Sequence, residues 1–422
     1  MKLNRNLSSD NNVLLKRLFL TLGLLIFIRI GTFLPVPGIN HGHLAFYIQR
    51  HSITKSLVST FSGNDIFVIG LFTLNIFPYI NASILIQLLV SIIPSLSKLQ
   101  KENGSQGRRT ITRLTRFITF GLALIQSVSI SVYLKRALFN WNLYLGLEII
   151  IWLTTGAMIV LWLSELITEY GLGNGASLLV YTNIIVSLPN FGKKLFQENS
   201  NNFNISSSII VTLLLFIAIY GIVLLQEGVR IVPLISSKQL TQVTPVVSEL
   251  TKNNYIPLRF NQSGVMPIIL TTAILIIPNY INTLGLFPIP TLPVLGQSSQ
   301  IIYWIMYFSL IIIFSSFYSN IILNPKDIST ELQKMAVSIP GIRPGISTTY
   351  YLKQVMNRVT FLGAVMLGIL TTVPNITELV LRISSFNGLG TTSLLILVGV
   401  ILDLSREIRS ILLSNIYNDM FN

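Results

Sequence analysis

Residues 70–94, GLFTLNIFPYINASILIQLLVSIIP, decide how the rest of the chain is read. They are apolar and long enough to cross a bilayer, which takes roughly 20 residues at helical rise. Yet Asn75, Pro78, Asn81, Ser83 and Gln87 interrupt them, and unpaired polar groups are expensive in hydrocarbon. Such a span must turn one face to protein or to a water-filled cavity. Ile76 and Ile80 stand four apart among these polar residues, and so on one helical face. Bulky β-branched side chains placed this way predict a narrow apolar constriction in a wet passage. A polar-laced helix buried in a bundle is the other reading of this stretch alone.

Composition sets the class. The chain has 422 residues, 51% hydrophobic and only 10% charged, where soluble domains carry about 25% charged residues. It reads as one polytopic membrane domain. With no cysteine, disulfides, thiolate metal sites and cysteine nucleophiles are excluded. His41, His43 and His51 share one loop with no acid before Asp65, so they read as a solvated loop and not a metal site. No cofactor is expected. The basic start MKLNRNLSSDNNVLLKRLF runs directly into a full-length span, which predicts insertion by the protein's own spans.

Hydropathy predicts ten spans, near 18–35, 70–94, 117–134, 146–164, 176–190, 209–226, 264–281, 301–323, 359–376 and 390–404. An even number puts both termini on one side. That side holds 21 of the 29 Lys and Arg residues, against seven opposite and Arg29 within the first span. The termini therefore face the cytoplasm or its organellar equivalent. Five spans followed by five hint at an internal duplication, split as 1–190 and 191–422.

Two long basic-side loops, 227–263 and 324–358, exceed what a connection needs. Their cations favour an anionic partner: RNA, an acidic protein or anionic lipid. On the opposite side SLVSTFSGNDIFVIG (56–70) is mildly apolar and too short to cross, so it reads as a half-inserted segment that protein must cover. Enzymatic signatures do not emerge. The sequence offers no phosphate loop, no Ser-His-Asp candidate and no paired intramembrane carboxylates. GLGNG (171–175) lacks the Lys and strand of a phosphate loop and reads as a tight turn into the fifth span. Arg29 and Glu148 are expected near interfaces; so few intramembrane charges argue against an ion-coupled pump.

The chain resembles the SecY family, the channel subunit of the Sec protein translocon, along nearly its whole length. The resemblance rests on FPYINASILIQLL (77–89), GRRTITRLTRF (107–117), LWLSELITEYGLGNGASLL (161–179), YIPLRFNQSGVMP (255–267), NPKDIS (324–329), IPGIRPG (339–345) and GTTSLLILVGVILD (390–403). It implies an all-α polytopic protein, with ten transmembrane helices in two pseudo-symmetric five-helix halves around a central pore. It further implies an aliphatic pore ring of Ile76, Ile80, Val180, Ile184, Ile269 and Ile396. Such β-branched side chains are stiff and can gate by dewetting. A plug would occupy about 56–69. Asn81, Ser83 and Gln87 would face Thr271 and Thr272 across a lateral gate, either easing its opening or making ordinary interhelical hydrogen bonds. Arg259, Arg343 and Arg358 would dock the ribosome and the SecA motor, with Arg343 foremost at a turn held by Pro and Gly.

The resemblance also implies partners: a SecE-type small membrane subunit, a SecG-type subunit, SecA, the ribosome, preprotein substrates and membrane lipids. The chain departs from the family pattern in two loops. KENGSQGRR (101–109) has Glu102 as its one acid, and QEGVRIVPLI (226–235) carries few cations, which bears on docking detail. The wealth of Ile, Asn and Lys and the short loops point to a plastid-encoded member in a thylakoid membrane, with stromal termini. A bacterial inner-membrane protein is the alternative. From another class, a secondary transporter would need a midplane substrate site and broken helices, and has no use for two large cationic loops.

Overall fold

A computed structural model describes residues 3–39, 69–93, 95–96, 99, 104–135, 141–198, 205–236, 254–271, 296–381 and 391–421, apart from 263, 265 and 269. In a bilayer the backbone must satisfy its own hydrogen bonds, so the apolar runs fold as helices. These are α1 (Leu3–Phe33), α2 (Phe77–Ile92), α3 (Gly104–Lys135), α4 (Leu143–Tyr170), α5 (Gly175–Glu198), α6 (Ile205–Glu227), α7 (Gly296–Ile322), α8 (Pro325–Lys334), α9 (Ile346–Leu381) and α10 (Thr391–Phe421). Nine of the ten expected spans coincide with one of them. Of the remaining span, 264–281, residues 266–268 and 270–271 are helical, and everything past 271 lies outside the described residues.

Several helices outrun their spans. α3 begins at Gly104, so Arg108, Arg109, Arg113 and Arg116 ride on helix and not on a loop. Hydropathy sees only the apolar part of such a helix; nothing in the sequence stops it at the membrane surface. Arg116 and Glu165 join α3 to α4 there, Nε to Oε1, at 2.8 Å.

The chain divides into two compact units, Met1–Gly192 with Val400–Asn422, and Lys193–Gly399. In the first, a core of Val36, Ile39, Ile69, Leu74, Ala123, Leu134, Ile149, Leu153 and Ala157 gathers α3, α4 and the segment before α2. Lipid is as apolar as these side chains, so close packing rather than water expulsion holds such a core within the membrane. The 36–69 link leaves and returns at one point. Its ends are closed by Val36 N–H to Ile69 O (3.1 Å) and Leu71 N–H to Leu34 O (2.9 Å). The expected plug, 56–69, lies outside the described residues except for Ile69.

The stretch 70–94 is not one continuous helix. Residues 71–76 form turns, and α2 starts only at Phe77. Asn75 sits at φ +47°, in the left-handed region that Asn tolerates better than most residues. Pro78 falls in the first turn of α2, where its missing N–H is no loss. The break coincides with a close approach: a Cβ on Gly156 of α4 would collide with the Leu71 carbonyl oxygen.

The second unit holds α6, α7, α8, α9, the start of α10 and two small antiparallel sheets. β1 (Val229–Pro233) pairs with β3 (Tyr255–Arg259), Val229 opposite Arg259. β2 (Ile235–Ser236) pairs with β4 (Val337–Ser338). The second pairing ties the two long basic loops together. Beneath them Val232, Leu258, Leu332, Ile339, Leu352 and Met356 form a buried apolar core. The described parts of both loops form a folded platform on the end of α9. Leu258→Ala is expected to loosen it by about 3 kcal/mol, the usual penalty for an uncollapsed core cavity. Limited proteolysis at 237–253 checks this: faster cleavage is expected, and an unchanged rate would mean the core does not hold the loops.

Candidate pore ring and docking face

Four expected ring residues fall in the first unit. Ile76 is the residue preceding α2 and is buried, at 1% exposure. Its carbonyl accepts the Ile80 N–H at 3.1 Å. That is an i to i−4 bond, so the four-residue spacing survives the break ahead of it. Val180 and Ile184 lie one turn apart on α5, with Ile184 buried and Val180 half-buried.

The entry to α5 is set by GLGNG. Gly173 adopts φ +79°, a left-handed turn that suits glycine. Its N–H donates to Glu407 Oε1 at 3.1 Å. The Asn174 side chain then accepts from Ala176 N–H at 3.0 Å, and Gly175 N–H donates to Thr168 Oγ1 at 2.9 Å. The expected tight turn is present, and it anchors the start of α5.

A polar contact joins the two elements that carry these expected ring residues. Asn75 Nδ2 donates to Asn183 Oδ1 at 3.1 Å, while Asn75 Oδ1 accepts the Ile76 N–H at 2.8 Å. Arg29 of α1 reaches the same Asn183 oxygen from Nη1 at 3.5 Å and stacks over the Phe33 ring, 5.3 Å from its centroid. Each asparagine immediately precedes a ring isoleucine. The sequence reading put Arg29 near an interface and missed this cluster; its one signal was a cation and two amides among apolar residues.

In the second unit, Ile396 is half-buried on α10, and Ile269 lies outside the described residues. Of the expected gate residues, Asn81 and Ser83 are half-buried on α2 and Gln87 is exposed. Thr271 is fully buried and donates to Pro267 O at 2.7 Å, within its own segment; Thr272 lies outside the described residues.

Arg259, Arg343 and Arg358 are all exposed on the second unit. Arg259 ends β3, and Arg358 lies on α9. Arg343 stands in the turn between β4 and α9, held from both sides. Gly341 and Gly345 flank it at φ +77° and +106°. Thr348 Oγ1 donates to the Arg343 carbonyl at 2.9 Å, and Ser329 Oγ of α8 donates to Gly345 O at 2.8 Å. α8 is fixed in turn by Asn324, whose side chain caps it by accepting from Lys326 N–H at 3.1 Å, with Pro325 first in the helix. The result is a cation raised on a rigid turn. Ile346 and Tyr350 follow on one face of α9, 90% and 71% exposed. The NPKD start of α8 is the sequence signal for this platform.

The chain is similar to known proteins over nearly its full length. A family model described as SecY matches residues 70–405. The protein translocase subunit SecY of Trieres chinensis is 65% identical, over 98% of this chain and 99% of that one. Among solved structures, the SecY channel studied for how its plug domain stabilises the closed state superposes with a TM-score of 0.66 at 17% identity, over 95% of this chain and 93% of that one. Sec61 from a canine ribosome–channel complex gives 0.59 at 16% identity, with the same coverage. The fold is thus that of an all-α, multi-pass membrane channel protein, and the chain belongs to the SecY family.

Proposed function

We infer that this chain is the central protein-conducting channel of the Sec translocon. It passes unfolded preproteins across the membrane and releases transmembrane segments sideways into lipid. It is a channel subunit and not an enzyme: the site offers a passage and a docking face, and the work comes from a bound partner. One observation carries the reading. Ile76 with Ile80, and Val180 with Ile184, stand on two elements that Asn75 and Asn183 hold together.

Aliphatic side chains offer no hydrogen bonds, so a ring of them sheds water when narrow and closes around an extended chain without gripping it. Ile269 and Ile396 complete the ring in this reading, with the 56–69 plug below it. Asn81, Ser83, Gln87, Thr271 and Thr272 line the lateral gate. Arg343, with Arg259 and Arg358, docks the SecA motor and the ribosome; the rigid turn and folded platform support that role, because docking a large partner needs a preformed surface. A SecE-type subunit, and a SecG-type one, accompany the chain. In this reading the membrane is a plastid thylakoid, with the termini on the stromal side because that side carries the excess of Lys and Arg.

The test is transport by the reconstituted complex. With SecA and ATP, a signal-bearing precursor is expected to become protected inside vesicles, and a signal-less one is not. Saturable uptake of a small solute, with no precursor protected, would instead favour the transporter reading.

A further inference from the structure

The cluster of Arg29, Asn75 and Asn183 has a donor order that the ring alone does not require. Asn75 Oδ1 is committed to the Ile76 N–H, so the amide cannot be flipped, and its Nδ2 must face Asn183. Asn183 therefore presents Oδ1 to two donors at once, Asn75 Nδ2 and Arg29 Nη1. Arg29 Nη2 is buried with no hydrogen-bond partner among the described residues, so Asn183 is the polar group that steers this guanidinium. The contact spans 108 residues of sequence between the asparagines and 154 between Arg29 and Asn183.

We propose that Arg29, Asn75 and Asn183 form a positioning node that fixes the register of Ile76 against Ile184 in the closed ring. Asn75 sets its neighbour Ile76 through the left-handed turn and the bond to its N–H. Asn183 sets its neighbour Ile184 from α5. Arg29, half-buried and over the Phe33 ring, keeps the Asn183 oxygen turned toward both donors. A ring in which Ile76 and Ile184 are out of register seals less tightly, so the node supports the seal of the idle channel.

The proposal rests on the pore-ring reading, and the test separates the two. The complete channel complex is placed in liposomes with no substrate, and chloride efflux is measured beside protein yield and melting temperature. Ile80→Gly serves as the ring control. Asn183→Leu and Asn75→Gly, which preserves the left-handed turn, are each expected to raise idle efflux roughly fivefold to tenfold, the effect of one buried hydrogen bond on a two-state equilibrium. The double variant should leak less than the product of the two singles, because both remove the shared Asn75–Asn183 bond. Acids discriminate direction. Asn183→Asp keeps the acceptor both donors use and should hold efflux near wild type, whereas Asn75→Asp loses its donor, faces the Asn183 oxygen and should leak. An amide pair free to take either donor order would treat the two acids alike. Should Ile80→Gly leak while all node variants match wild type, or should Asn183→Asp leak as much as Asn183→Leu, the node is refuted and the ring stands. A silent Ile80→Gly would refute the ring reading and the node with it.

Discussion

Arg343→Glu is expected to abolish motor-driven transport while leaving the channel folded. The side chain is exposed and outside the platform core. What holds its turn is backbone: the two left-handed glycines and the bond from Thr348 to the Arg343 carbonyl. Reversing the charge thus leaves the turn intact and puts a carboxylate where a partner expects a cation. Losing one half of a desolvated ion pair at an interface costs about 2–5 kcal/mol, so transport should fall by roughly thirtyfold or more. Measured as ATP-dependent protection of a precursor, with motor binding measured alongside, both should drop together. Full transport with intact motor binding would remove Arg343 from the docking face.

Gly156→Val should have the largest effect on stability. Gly156 is buried in α4, where the Leu71 backbone crosses it so closely that even a Cβ would strike the Leu71 carbonyl. Backbone cannot swing aside as a side-chain tip can, so the helix or the 71–76 turn must move. Overpacking of this kind commonly costs about 1–3 kcal/mol, and more where backbone must shift. The turn carries Asn75 and leads into Ile76, so the damage reaches the proposed ring. We expect a sharp fall in accumulated protein and an elevated idle leak in whatever folds. Gly121, around which a Cβ would meet nothing within 4 Å, supplies the control: Gly121→Ala should be tolerated.

The helices were legible because an apolar run of roughly 20 residues has one stable backbone in lipid. Their ends were less so. The start of α2 depends on a single residue, Asn75, entering the left-handed region just ahead of Pro78, and hydropathy averages over both. The folded platform of the two loops was hidden in the sequence for a different reason. Its strands are two to five residues long and sit among cations and prolines, so neither periodicity nor composition marked them as folded. What makes them fold is the shared core of Leu258, Leu332 and Met356, drawn from segments on both loops and α9. The contact of Arg29, Asn75 and Asn183 was out of reach altogether, since it joins three distant segments by hydrogen bonds rather than by a pattern.

Passage of a preprotein through the aliphatic ring is best checked by crosslinking in place. A photoreactive residue replaces Ile80 in one complex and Ile269 in another, and a stalled secretory chain is presented with SecA and ATP. Crosslinks to the translocating chain from both positions, lost on adding Arg343→Glu, are the predicted result. A chain that is driven by an active motor yet reaches neither position would contradict the ring and reopen the solute-transporter reading.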